Sequence, residues 1–166
     1  MKSQFLTILP LVAILMIIMT TSAHSENALP SYMQISSALK QSSVFVMILE
    51  GDPNEISEEQ LGDVITFWGW KIPVVGTEDQ RWATVTIHQT NDQTTPRFHP
   101  HTIKLDSDLC LLSIADLPSD VAVRDNKIIL ALNENYENMA MSGSIGTRPE
   151  CTSSGLGITI QADEFV

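Results

Sequence analysis

Residues 81–90 read Arg-Trp-Ala-Thr-Val-Thr-Ile-His-Gln-Thr. Successive side chains of a strand point to opposite sides. This stretch therefore lays Trp82, Thr84, Thr86 and His88 along one face and Ala83, Val85 and Ile87 along the other. The aliphatic row predicts a face packed on a core. The half-polar row predicts a face turned toward solvent, which makes Trp82 the expected exposed, partner-binding tryptophan. Trp68 and Trp70, separated only by Gly69, share one face of an earlier strand and are expected in the core.

Outward from this segment the β signals continue. Ser43 to Glu50 (SVFVMILE) is apolar and β-branched throughout, as a strand buried on both faces, or nearly so, would be. Leu109–Ala115, Val121–Val123, Lys127–Asn133 and Leu156–Gln161 read as further strands, and Ile72–Val75 as a short edge strand marked by Pro73. Asp125-Asn126 and Asn133-Glu134-Asn135 predict hairpin turns, and 91–100 (NDQTTPRFHP) a loop. Helical signals are confined to the first part of the chain. Residues 30–41 carry near-helical apolar spacing, and Ser57-Glu58-Glu59-Gln60 has the form of a capping box whose short helix gives way to a strand near Ile65. The fold class predicted is mainly β: an antiparallel sandwich or open barrel with one or two short helices near the N-terminus, with an α+β layout as the competing reading.

The first residues have the three parts of a secretory leader: Lys2, the apolar run Phe5–Met19, and the small polar segment ending at Ala23 or Ser25. The apolar run is shorter than the about 20 residues needed to span a hydrocarbon core. Residues 1–25 are thus expected to be a cleaved signal peptide, and residues 26–166 a single exported β-rich domain, periplasmic or secreted and not membrane-embedded. All 20 acidic residues lie beyond the leader, and the chain carries a net charge of −11. Such a surface repels nucleic-acid backbones and anionic lipid, so nucleic acid is not an expected partner.

Cys110 and Cys151 are the only cysteines. In an oxidising compartment they are expected to form one disulfide, which would close a loop of about 40 residues and stabilise the fold by roughly 4 kcal/mol in the chain-entropy model. Two i, i+2 pairs suggest a metal: His99 and His101, and Met139 and Met141. Imidazole suits copper or zinc and thioether suits Cu(I), so the four together make a candidate site for an exported copper or zinc protein.

His88, Asp108 and Ser154 stand in the chain order of chymotrypsin-like serine peptidases, and Asp106–Ser113 resembles the aspartate-bearing strand of that family. The resemblance covers about a tenth of the chain. It fails at the nucleophile, because Cys151-Thr152-Ser153-Ser154 has no glycine before the serine to shape an oxyanion hole. With no complete catalytic set, the leading expectation is a non-catalytic binding protein whose partner is another exported protein or a surface ligand. An inhibitor, a secreted effector and an accessory of envelope assembly all fit that description. The metal protein comes second and the hydrolase third.

Overall fold

The computed structural model describes residues 29–89 and 97–162. In chain order the strands are β1 (Ile35–Gln41), β2 (Val44–Leu49), β3 (Ile65–Ile72), β4 (Gln80–Ile87), β5 (His99–Leu105), β6 (Leu111–Asp116), β7 (Val121–Arg124), β8 (Lys127–Ala131), β9 (Ala140–Thr147) and β10 (Leu156–Gln161). Among the described residues, helical structure is limited to single 3-10 turns at Ser31–Met33 and Pro53–Glu55 and one α-turn, α1 (Glu58–Leu61). The expected leader, residues 1–25, lies outside the described residues, as does most of the expected loop 91–100.

Two antiparallel sheets result. One has the order β1-β2-β8-β7, the other β10-β9-β3-β4-β5-β6. The mainly β expectation holds, and sandwich and open barrel prove to be two aspects of one arrangement. Phe45, Met47 and Leu49 of β2 and Ile128 and Leu130 of β8 pack against Trp68, Trp70, Val85 and Ile87 on one face of the larger sheet. The opposite face of that sheet curls around a second core of Phe67, Trp82, Ile103, Leu105, Leu111, Met141, Ile145 and Ile158. The larger sheet is therefore covered on both faces.

The curl is held at one seam. Cys110, just before β6, bridges antiparallel to Gly157 of β10, and the Ile158 N–H donates to the Leu109 carbonyl at 3.0 Å. The Cys110–Cys151 disulfide crosses the same place, with the Cα atoms 5.3 Å apart. A Cβ on residue 157 would sit 2.8 Å from the Cys151 sulfur and 3.0 Å from the Leu109 carbonyl oxygen, so only glycine lets the strands approach this closely. The start of β10 thus meets the start of β6.

Several expectations are corrected. Residues 30–41 form a 3-10 turn and then β1, not a helix. The β-branched and polar neighbours gain more from pairing with β2, which β1 joins from Ile35 to Gln41, than from a lone helical turn. Ile72 ends β3, and the expected strand 72–75 is a loop from Pro73 on. Asn133–Asn135 lies in the connection from β8 to β9, which belong to different sheets, so it is no hairpin. β5 and β9 were both unforeseen as strands. By contrast, the capping box closes as read: Ser57 Oγ accepts from the Gln60 N–H, and Gln60 Oε1 from the Ser57 N–H. Asp125-Asn126 makes a two-residue hairpin turn between Arg124 and Lys127.

The main correction concerns Trp82. It is fully buried, at 0% exposure, as are Thr84 and Thr86 beside it. The threonine hydroxyls do not need water: Thr84 Oγ1 donates to the His101 carbonyl at 3.1 Å and Thr86 Oγ1 to the His99 carbonyl at 3.4 Å. With the hydroxyls satisfied on the neighbouring strand, each threonine can be buried at little cost. Trp82 Nε1 likewise donates to Gln80 Oε1 at 3.2 Å. Gly69 opposite Thr84 leaves room for this packing, since a Cβ there would lie 2.8 Å from the Thr84 methyl. Trp82 is a core residue and no partner surface. Trp68 and Trp70 are buried as expected.

Replacing Trp82 with alanine is expected to cost roughly 3–5 kcal/mol in urea denaturation, the usual result of emptying a large aromatic site. Replacing both cysteines with alanine is expected to cost about 2–5 kcal/mol. A near-neutral result in either case would contradict the packing described.

Candidate functional site

The ladder registers place the polar side chains of the curled face. Thr86 pairs with His99, Thr84 with His101, and His101 in turn with Asp116 of β6. His99 and His101 point the same way as Ile103 and Leu105, whose side chains fill the inner core. The two histidines therefore continue that core toward the mouth of the curl. They sit on a regular strand, not in or beside a loop. Pro100 between them is tolerated because its carbonyl accepts from Leu117 N–H at the very end of the ladder, so its missing donor leaves no pairing broken.

His88, just beyond β4, stacks on His99 with ring centroids 5.3 Å apart, and His99 lies 6.1 Å from His101. The His101 Nδ1 is 3.4 Å from Asp116 Oδ1. His99 Nε2 and His101 Nδ1 are both buried without a hydrogen-bond partner among the described residues. A cleft of ≈ 300 Å³ opens here, lined by Ile65, Thr86, His88, His101, Ile114, Ala115 and Asp116. Burial holds the pKa of His99 below the ordinary histidine value, and the neighbouring His88 and His101 add to the effect. Burial lowers His101 as well, against the opposing pull of Asp116. Both rings are thus favoured in the neutral form, which can act as an acceptor or a ligand.

The other candidates fall elsewhere. Met141 is fully buried in the inner core, with Met139 packed at its margin. Strands β3 and β4 lie between β9 and β5, so the methionine and histidine pairs share a sheet face without being neighbours. Among the described residues no three His, Cys, Asp or Glu side chains are already gathered for an ion. The serine-peptidase set is not assembled. Ser154 Oγ donates to the Leu111 carbonyl at 2.6 Å and accepts from the Leu156 N–H, and the Asp108 carbonyl accepts from Arg148, both beside the seam. His88 stands beyond the opposite end of β4 from Gln80, whose partner Leu105 leads into the Asp108 turn. Asp106 caps that turn by accepting from the Asp108 and Cys110 N–H groups.

A second feature was missed from the sequence. β6 is the last strand of its sheet, and every residue from Leu112 to Asp116 is exposed, Leu112 at 38% and Ile114 at 40%. Because Leu117 N–H bonds to Pro100, antiparallel alternation turns Ala115 and Ser113 toward β5. The N–H and C=O groups of Ile114 and Asp116 therefore face outward. The alternation Cys110-x-Leu112-x-Ile114 reads in the sequence as a core-facing row; Cys110 is buried, but Leu112 and Ile114 are exposed.

Among the described residues no helix is long and apolar enough to cross a membrane. Because His99 and His101 are depressed in the folded chain, the unfolded chain takes up protons first as pH falls. Stability is therefore expected to decline below about pH 6.5, toward the folded-state values. The check is urea denaturation between pH 7.5 and 5, in which His99→Gln with His101→Gln should flatten the decline; an unchanged slope would contradict the burial of the rings. No family model, curated protein or solved structure matches this chain.

Proposed function

We propose that this chain is an exported, non-catalytic interaction protein that takes an extended segment of another exported protein as an added strand on β6. The observation that carries the reading is the edge of β6, apolar at Leu112 and Ile114, without lysine or proline in the strand and without a covering loop among the described residues. Outward N–H and C=O groups supply affinity for any extended chain, and the alternate side chains supply selectivity.

Charge narrows the partner. Asp116 stands fully exposed at one end of the edge, and Asp106, Asp108 and Glu150 surround the other, beside Arg148, which is already paired with Glu150 at 2.8 Å. With a net charge of −11, this rim favours a segment carrying lysine or arginine between apolar residues. The leader-like first residues and the disulfide support an extracytoplasmic setting, periplasmic or secreted.

A panel of short synthetic strands tests the reading. A peptide alternating lysine with valine is expected to bind and to slow amide exchange at Ile114 and Asp116, while an aspartate–valine peptide should not. Ile114→Pro removes the outward donor without touching the β5 ladder and is expected to weaken binding by about 10-fold or more. Protection at β1, β7 or β10 in place of β6, or equal binding of both peptides, would overturn the proposal.

A further inference from the structure

We propose that His101 and Asp116, joined by His99 and His88, form a binding site for one divalent transition-metal ion of the zinc–copper class at the mouth of the curled sheet. This inference does not rest on strand docking at β6, although Asp116 belongs to both.

Buried polar atoms almost always have partners. Of the three buried side-chain nitrogen or oxygen atoms without one among the described residues, two are His99 Nε2 and His101 Nδ1. Two neighbouring imidazoles with idle nitrogens, beside an exposed carboxylate, make a set of donors without an acceptor.

The spacing suits an ion. Ligands held 2.0–2.1 Å from a tetrahedral ion place their donor atoms about 3.3 Å apart. His101 Nδ1 and Asp116 Oδ1 stand at 3.4 Å, near this separation, and Nδ1 has no hydrogen-bond partner among the described residues. Two imidazoles on one such ion have centroids about 5 Å apart, given the same bond lengths. The observed separations are 5.3 Å for His88 and His99 and 6.1 Å for His99 and His101.

Three donors are not yet convergent in the ion-free chain. Rotation of the His99 ring toward the His101–Asp116 pair supplies the third, and His88, half-buried at the end of its strand, the fourth. The strands around these side chains are regularly paired, β4 with β5 throughout and β5 with β6 from His101 to Lys104, ahead of the irregularity at Leu105. Imidazole with one carboxylate selects zinc or copper over magnesium or calcium. The set differs from the His–Met combination suggested by the sequence, because β3 and β4 separate the strand of Met141 from that of the histidines.

The test is calorimetric titration of the chelator-stripped protein with zinc and, separately, copper(II). One ion per chain is expected, with a Kd below about 10 μM for at least one metal. His101→Ala and Asp116→Asn should each weaken binding about 10-fold or more, while Met139→Leu should leave it unchanged. Should His101→Ala fail to fold, His88→Ala and the metal-induced shift of the His99 and His101 ring nitrogens by NMR still decide. Absence of uptake below about 100 μM, ring signals that do not move, or equal uptake by Asp116→Asn would overturn the site.

Discussion

The contact on which the larger sheet depends is the seam where Cys110 meets Gly157. Four features meet there: an antiparallel bridge, a disulfide, a glycine that admits the sulfur, and the Arg148 guanidinium donating to the Asp108 and Ile158 carbonyls. Without closure, six strands would form an open twisted layer with the apolar face of Phe67, Trp82 and Ile103 exposed to water. With closure, that face becomes the interior of a curl, and the same sheet still offers its other face to β2 and β8. A chain of this size can then build two cores on one sheet.

That doubled role explains the residues of β4. Both faces must be buried, yet one carries Thr84 and Thr86. Their hydroxyls spend their donors on β5 carbonyls and turn their methyls inward, so a row that looks amphipathic behaves as core. Thr66 and Ser144 do the same for each other on the face toward the smaller sheet, at 3.3 Å. The histidines at the mouth differ because one buried nitrogen of each finds no such partner among the described residues. That contrast, between satisfied and idle polar groups on one sheet face, sets the mouth apart from the remainder of the interior.

Much of the fold was legible. The apolar run of β2, the capping box, the Asp125-Asn126 turn, the disulfide and the burial of Trp68 and Trp70 all follow from local pattern. What escaped had non-local causes. β9 (Ala140–Thr147, AMSGSIGT) is poor in β-branched residues, and it is a strand because small residues fit between β3 and β10, where a Cβ at Gly143 would meet the Ile160 carbonyl oxygen at 2.7 Å. β5 was hidden by Pro100, whose place at the end of the ladder no sequence window reveals. Trp82 was misplaced because a hydroxyl bonded across strands has no signature along one strand. Of the candidate site, His99 and His101 could be read from their spacing. Asp116 could not, since only the β5–β6 register brings it beside His101.

The central claim is that closure at the seam, and not the packing of the two sheets, holds the mouth and the β6 edge in place. Hydrogen exchange of the protein with its disulfide reduced, compared with the oxidised form, tests this directly. The account predicts that β5, β6 and β10 lose protection and that the His101 ring becomes exposed, while β2 and β8, paired within the smaller sheet, keep theirs. Uniform loss of protection across both sheets, or none in β6 and β10, would contradict it.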